Sequence, residues 1–203
     1  MTDRITQADI VNTALQLLAD GGLHALAMRR IATELGVQQS ALYWHFDNKQ
    51  HLLAAVADRV VAAVLLPVEG DWSERIESLA SRLRRELLRY PDAAELVATV
   101  FAFRLGAQQP FQQFINELVR GRLAPDDAAI AASVLVYFVF GYATDEQQHH
   151  QAATLGAIQP DLEDPHAAKT ADDRFLRGLR LIMGGVDAQL RATRGQDDRH
   201  ESP

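Results

Sequence analysis

Residues 35–56 read LGVQQSALYWHFDNKQHLLAAV and combine a glycine, a short polar stretch, three aromatic residues and a lysine. Gly36 supplies a turn between a short helix predicted over about 27–35 and a second one over about 38–46. Two short helices joined by a glycine-containing turn are typical of a helix-turn-helix. In that motif the second helix enters the major groove of DNA with its first turn on the base edges. The stretch therefore predicts a DNA-binding unit.

The candidate DNA contacts follow from the chemistry of the side chains in this stretch. Glutamine can pair with adenine through two hydrogen bonds, and a serine hydroxyl can serve several bases. Lys49 lies in the first turn of the next helix, where free backbone amides also attract phosphate. The alternative is that the aromatic residues are simply the core of a small bundle. The candidates are Arg29, Gln38, Gln39, Ser40, Tyr43, Trp44, His45 and Lys49.

Helical periodicity recurs from end to end, so the sequence predicts an all-α fold. Five pairs look like capping residues that open helices: Thr6 with Asp9, Asp47 with Gln50, Asp71 with Glu74, Asp92 with Glu95, and Thr170 with Asp173. We expect a three-helix DNA-binding domain at 1–53, with a connecting helix at 47–65. A larger helical domain for effector binding and dimerisation follows at 54–193. Residues 156–170 read as a long loop, and 194–203 as a disordered tail.

The composition limits the classes of protein that remain. The 203 residues carry a net charge of −7 and no cysteine, so thiolate metal sites and disulfides are excluded and a reducing cytoplasm is expected. The apolar stretch 128–144 is flanked by acidic residues rather than basic ones, which favours a buried helix over a membrane span. Residues 1–53 contain four basic and five acidic side chains. DNA affinity should therefore depend on a few well-placed contacts and on dimerisation.

The segment ALAMRRIATELGVQQSALYWHFDNKQHLL, residues 25–53, resembles the N-terminal signature of the tetracycline repressor (TetR) family of transcription regulators. The resemblance implies a bacterial, nucleoid-associated homodimer without cofactors. Such a repressor binds a palindromic operator and is released by a small molecule. By this resemblance Arg29, Gln39, Tyr43, His45 and Lys49 stand where the family contacts DNA. Ala27 departs from it, because many members cap the second helix there with serine or threonine.

The C-terminal part resembles the tetracycline repressor more loosely, over residues 140–152 and 174–190. In that repressor the last long helices pair across a two-fold axis. An apolar face at helical spacing supports the same role here, and ordinary intrachain core is the alternative. The predicted dimer-interface residues are Phe175, Leu179, Ile182, Met183, Val186 and Leu190. Gly178, Gly184 and Gly185 would allow a partner helix to approach closely.

An effector pocket is expected inside the body, for an apolar or aromatic molecule. No histidine lies at 96–99, where the drug sensor's metal-binding histidine would fall, so a magnesium–tetracycline ligand is not expected. The pocket candidates could equally be packed core. They are Leu79, Leu83, Phe101, Phe103, Tyr137, Phe140 and Asp145.

Two acid–histidine pairs, Asp145 with His149 and Glu146 with His150, have a spacing that can chelate a metal on a helix. A solvated helix end is the alternative, and we expect neither a metal centre nor enzymatic activity. An all-α metalloenzyme built on these four residues remains the rival hypothesis. The basic run at 81–90 is interpreted as a solvated helix face, because leucines interleave at helical spacing.

Overall fold

The computed structural model describes residues 5–65, 67, 69–158 and 170–200, with side chains described as far as residue 192. These residues form helices and their connections without a strand, which confirms the predicted all-α class. Short 3₁₀ helices lie at Leu23–Ala25 and Ala62–Leu65. The α-helices are α1 (Gln7–Gly21), α2 (Met28–Glu34), α3 (Gln39–Tyr43), α4 (Lys49–Val61), α5 (Trp72–Leu88), α6 (Ala93–Ala102), α7 (Gln108–Arg120), α8 (Pro125–Thr154) and α9 (Ala171–His200).

The first three helices and the start of α4 form a small N-terminal unit around a shared apolar core. Ile10, Ile31, Leu42 and Leu52, one from each helix, are all buried there. The predicted capping box at the start of α1 is confirmed, because Thr6 accepts from the Asp9 amide while Asp9 accepts from the Thr6 amide. These contacts satisfy amide groups that a helix start leaves without intrahelical partners.

The start of α4 differs from the prediction. Asn48, not Asp47, is the capping residue, and its side-chain oxygen accepts from the His51 amide at 2.9 Å. Asp47 instead approaches the His51 ring at 3.2 Å. The helix therefore begins at Lys49, one residue later than an Asp47 cap would place it.

The body is a bundle in which α8 packs against α5, α6, α7 and α9. The predicted box of Asp71 and Glu74 opens α5, and Pro125 takes a first-turn position in α8. By length and composition alone α8 could cross a membrane. Its apolar side, however, carries core residues such as Leu135, Val139 and Ala143.

The predicted disordered tail is wrong as far as His200, because α9 continues through residues 194–200. Residues 201–203 lie outside the described residues, as do 159–169, which cover most of the predicted loop. Of that loop, 156–158 and 170 are described and non-helical, and Leu155 stands between the end of α8 and residue 156.

Two hydrogen bonds near the two ends of α6 attach the body to the N-terminal unit and to α4, the helix that continues out of it. Asp92, just before α6, accepts from the Leu23 amide at 2.9 Å. Beyond the other end, the Ala107 amide donates to Asp58 of α4 at 2.6 Å. Helix α6 also packs along α4.

Candidate DNA-binding surface and effector groove

Helices α2 and α3 form the predicted helix-turn-helix. Gly36 between them has a φ of 66°, a left-handed conformation that glycine adopts without steric cost. Ala27 precedes α2 in an extended conformation, and its side chain makes no capping bond. The expected departure from the family pattern is therefore visible as a missing cap.

The inward and outward faces of this unit separate clearly. Leu42 and Phe46 are buried, whereas the Trp44 side chain is 89% exposed and Tyr43 is also exposed. Leaving an indole in water forgoes the free energy of burying a large apolar surface, so a fully exposed tryptophan indicates a binding surface. The interpretation of Tyr43 and Trp44 as core of a small bundle is wrong.

The polar candidates are also accessible. Gln38, Gln39 and Ser40 are exposed at the start of α3. The amide of the Gln39 side chain donates to the Tyr43 hydroxyl at 3.4 Å, so these two side chains share one helix face. A face that presents amide and hydroxyl groups matches the donors and acceptors of the major groove.

The remaining candidates flank this face. Arg29 is exposed in the first turn of α2, and Lys49 is exposed at the first position of α4. His45 is half-buried, and its backbone carbonyl accepts from the Gln7 side chain at 2.8 Å. Gln7, which the sequence did not single out, thus ties the segment after α3 to α1.

The residues predicted to line an interior pocket are divided between the core and the surface. Leu79, Leu83 and Phe140 are buried in the core. Phe103 and Tyr137 lie on the surface with more than half of their side-chain area exposed. Leu79 and Leu83 are thus almost fully shielded from solvent by the surrounding core.

Phe101 joins an aromatic cluster. Its ring lies 5.5 Å from that of Phe140 and 5.6 Å from that of Phe111, both edge to face. Tyr137 lies at the edge of the cluster, 6.4 Å from Phe101. These contacts favour the alternative that we gave for these residues, namely packed apolar structure.

Asp145, the polar member of the predicted pocket, lies instead in an open groove of about 710 Å³ beside the ends of α8 and α9. Its walls combine apolar and aromatic surface with acidic, imidazole and guanidinium groups. The lining residues are Leu88, Tyr142, Asp145, Glu146, His149, His150, Ala153, Ala171 and Arg174. Leu96 and Val97, at the place of the drug sensor's histidine, are buried in α6.

The groove does not form a metal site among the described residues, where no three histidine or acidic side chains are arranged to hold an ion. Glu146 is committed elsewhere, because both of its oxygens accept from Arg84, at 2.6 and 2.7 Å. The hypothesis of a metal on Asp145, His149 and their two neighbours is therefore not supported by this geometry.

Arg84 corrects the interpretation of 81–90 as a solvated face. Its side chain is only 8% exposed, and besides Glu146 it donates to Asp172 of α9 at 2.6 Å. Its guanidinium lies 5.1 Å from the Phe175 ring and 5.6 Å from the Tyr142 ring. The hydrogen bonds to Glu146 hold the pKa of Arg84 above its usual value, against the effect of burial. Arg84 thus joins α5, α8 and α9.

Tyr142, beside Arg84, donates its hydroxyl to the carbonyl of Ala171 at 3.1 Å. Burial raises the pKa of this hydroxyl, and the nearby Glu146 carboxylate adds to the effect. The hydroxyl is therefore a neutral donor at physiological pH and holds the start of α9 against α8.

The predicted dimer-interface residues need a correction. Phe175, Leu179, Met183, Val186 and Leu190 are already buried within their own chain, as the core alternative stated. Ile182 is half-buried. Residues buried in this way can add little area to a contact with a second chain.

The glycines of α9 divide between two roles. A Cβ at Gly178 would overlap the Phe138 ring, so this glycine serves packing of α8 against α9 within the chain. Gly184 and Gly185 face open space. Gly185 and Ile182 line a shallow groove with Ile130 and Val134 of α8, both exposed. This groove offers exposed apolar surface that a partner could cover.

The fold and the exposed recognition surface define a class: a helix-turn-helix DNA-binding protein with an α-helical body. The model of the tetR family of bacterial regulatory proteins matches residues 10–56. The tetracycline repressor-like C-terminal domain matches residues 66–190. The chain belongs to the tetR family of bacterial regulatory proteins, and it is a DNA-binding transcription regulator.

Relatives of known class agree over nearly the whole chain. The class D tetracycline repressor of Escherichia coli is 29% identical, covering 93% of this chain and 92% of its own. An HTH-type transcriptional regulator of Saccharopolyspora erythraea is 39% identical, covering 94% and 81%. The family and these relatives are described as transcriptional regulators.

Solved structures share the fold. BioQ of Mycobacterium smegmatis superposes with a TM-score of 0.82 at 33% identity, covering 91% of this chain and 98% of its own. BioQ bound to its double-stranded DNA operator gives 0.76 at 32%, covering 90% and 98%. ActR of Streptomyces coelicolor in complex with (S)-DNPA gives 0.73 at 29%, covering 93% and 100%.

Proposed function

We propose that the protein is a homodimeric, ligand-responsive repressor that binds a palindromic operator. The observation that carries the proposal is the exposed surface of α3 and the residues after it, with Trp44 almost entirely in solvent. The structure of BioQ with its operator supports a DNA partner for this surface. The chain works in the bacterial cytoplasm, associated with the nucleoid.

In this proposal the residues of the helix-turn-helix have separate roles. Gln38, Gln39 and Ser40 contact base edges, because they stand in the first turn of the helix that enters the groove. Tyr43, Trp44 and His45 contact phosphates and thymine methyl groups. The backbone contacts come from the two cations, Arg29 and Lys49, with Lys49 aided by the free amides at the start of α4.

Dimerisation uses the groove between α8 and α9. Ile130 is 65% exposed, and Val134, one turn later on the same face, is exposed as well. When a two-fold axis places this groove against the same groove of a second chain, the apolar surface of both chains is buried. The axis also places two recognition helices so that they can read half-sites about one DNA turn apart.

The effector is a small molecule with apolar or aromatic surface, as the complex of ActR with (S)-DNPA supports. We place it in the groove beside Asp145 rather than in the interior, because the interior candidates are packed. Leu88 and Tyr142 offer apolar contacts there, and Arg174 and His149 offer polar ones. The packed interior also favours a second candidate, a constitutive DNA-binding dimer without an effector.

The test is footprinting on the DNA upstream of the protein's own gene, with wild type, Tyr43→Ala and Lys49→Ala. Leu155→Ala and Arg120→Ala, exposed positions of the body, serve as matched controls. We expect the wild type and both controls to protect a palindrome and both DNA-surface variants to lose it. If no palindrome is protected there, a genome-wide pull-down with the same variants must find one, or the proposal fails.

The same footprint then screens aromatic compounds for release of the operator. An effector in the groove should lose potency with His149→Ala while operator affinity stays unchanged. If every compound that binds the protein leaves the footprint intact, the constitutive alternative holds.

A further inference from the structure

The carboxylate of Asp92 bridges the two parts of the molecule. One oxygen accepts from the backbone amide of Leu23, in the N-terminal unit, at 2.9 Å. The other accepts from the side-chain amide of Gln151 near the end of α8. These partners are 69 and 59 residues away along the chain. The contact is therefore purely tertiary.

The local backbone is adapted to this bridge. Asp92 stands directly before α6 with a φ of 58°, yet its side chain makes no capping bond to that helix. The capping role predicted for it is wrong, because the carboxylate is used across the domain boundary. On the other side, Gly22 has a φ of 68°, and a Cβ there would overlap the carboxylate. Gly22 thus leaves the room that Asp92 occupies.

Helix α8 holds the turn that carries Asp92. Gln147, one helical turn before Gln151, donates its side-chain amide to the carbonyls of Leu87 and Tyr90 at 2.9 and 2.7 Å. Its side-chain oxygen accepts from the Ala94 amide at 3.2 Å. The end of α5 and the start of α6 are thereby tied to α8, the helix of the proposed dimer groove.

A second bond, from Ala107 to Asp58, attaches the other end of α6 to α4, the helix that continues out of the N-terminal unit and packs along α6. Helix α4 thus holds the unit on one side, and the Asp92 bridge adds a second attachment through Leu23, so that the two together set an angle. The Asp92 bridge is the one that also reaches α8.

We infer that Asp92 is a positioning residue, which sets the angle of the DNA-binding unit against the dimerising body. The inference rests on the proposed function, because the angle matters only when two recognition helices must meet one palindrome. A single half-site can be bound at any angle of the unit. A palindrome requires both helices at a separation of about 34–36 Å. Loss of the bridge should thus weaken palindrome binding selectively.

The experiment compares the affinity for the footprinted palindrome with that for one isolated half-site, at a single salt concentration. Asp92→Asn keeps the size of the side chain and tolerates a positive φ. The substitution replaces one accepting oxygen with an NH2 group, which then faces one of the two donors, Leu23 or Gln151. Gln151→Ala removes the α8 side of the bridge. Glu95→Gln, an exposed carboxylate in the first turn of the same helix, removes an equal charge and is the control.

We expect Asp92→Asn to weaken palindrome binding by about tenfold, which equals about 1.4 kcal/mol, with half-site binding unchanged. Gln151→Ala should act in the same direction, and Glu95→Gln should leave both affinities unchanged. Inserting one base pair between the half-sites should lower the operator affinity of Asp92→Asn less than that of wild type, because the DNA-binding unit of the variant can adjust its angle.

Equal weakening on both DNAs would show that Asp92 merely supports folding of the DNA-binding unit, and would overturn the inference. Unchanged affinity on both would overturn it as well. If wild type itself does not prefer the palindrome to the half-site, the proposed function fails and the inference falls with it.

Discussion

Replacing Arg84 with methionine tests how the body is held together. Methionine retains an unbranched apolar stem but removes the guanidinium of Arg84, a residue that is 8% exposed and bound to two carboxylates. Its loss leaves the Glu146 carboxylate, only 20% exposed, without its partner. The start of α9 loses one of its attachments to α5 at the same time.

The magnitude follows from the exposure of the two acids. Asp172 is 75% exposed, so its bond to Arg84 should contribute less than about 1 kcal/mol. The paired bonds to Glu146 are short and part-buried, and Glu146 also lines the open groove, so removing its partner should cost about 1.5–3 kcal/mol rather than the full cost of a buried pair. We expect Arg84→Met to lower the free energy of unfolding by roughly that amount.

The assay is urea denaturation of the full chain at one fixed protein concentration, because the stability of a dimer depends on concentration. Glu146→Leu and the double variant complete a mutant cycle, and Arg85→Met, an exposed neighbour, is the control. The double variant should lose much less than the sum of the single losses, since no charge is then left without its partner. Additive losses, or a loss with Arg84→Met no larger than the control's, would refute the reasoning.

Three further predictions concern a cap, a titration and the dimer. Ala27→Ser should raise the free energy of unfolding by about 1 kcal/mol in thermal or urea unfolding, because Ala27 has the extended cap conformation without a capping side chain; no gain would mean that α2 is satisfied otherwise. The Thr6 hydroxyl and amide hold the pKa of Asp9 below its usual 3.8. The difference in stability between wild type and Asp9→Asn should therefore be present above pH 3.8 and disappear as the pH falls from there through the lowered pKa. A difference that does not depend on pH would contradict this. Ile130→Glu should raise the dimer Kd in sedimentation by at least about 100-fold, because burial of each isoleucine contributes about 1.5–3 kcal/mol and the axis doubles it; Val119→Glu, exposed on α7, should not.

The helix-turn-helix was predictable because its signals are local. Gly36 marks a left-handed turn, and the inward positions Leu42 and Phe46 follow helical spacing, which the buried side chains confirm. The boxes at Thr6 and Asp71 also involve residues only three apart. Contacts over such distances depend little on the rest of the fold.

Asp47 and Asp92 show where even local patterns fail. Both have a suitable residue three positions later, but in each case the aspartate side chain has another partner. Asp47 approaches the ring of His51, while Asn48 caps the helix. Asp92 binds Leu23 across the domain boundary. A sequence pattern indicates which hydrogen bonds a side chain can make, and its tertiary neighbours determine which of them forms.

The same limit explains the errors in the body. The apolar face of α9 was recognised correctly, but periodicity does not say whether that face meets its own chain or a second one. Phe175 and Leu179 pack inside, so the face that remains for a partner includes Ile130 and Gly185. Likewise Arg84 stands in a basic run that looks solvated, and only α8 and α9 supply the acids that bury it.

The all-α class, the positions of most helix starts and the exposed stretch predicted to contact DNA can be read from the sequence alone, because these depend on propensity and on contacts within a few residues. Which apolar faces are buried in the core, and which acids pair with Arg84, is set by the tertiary structure. It also decided how Asp92 joins the two parts. Those outcomes depend on residues about 60 or more positions apart, whose proximity is a property of the packed helices.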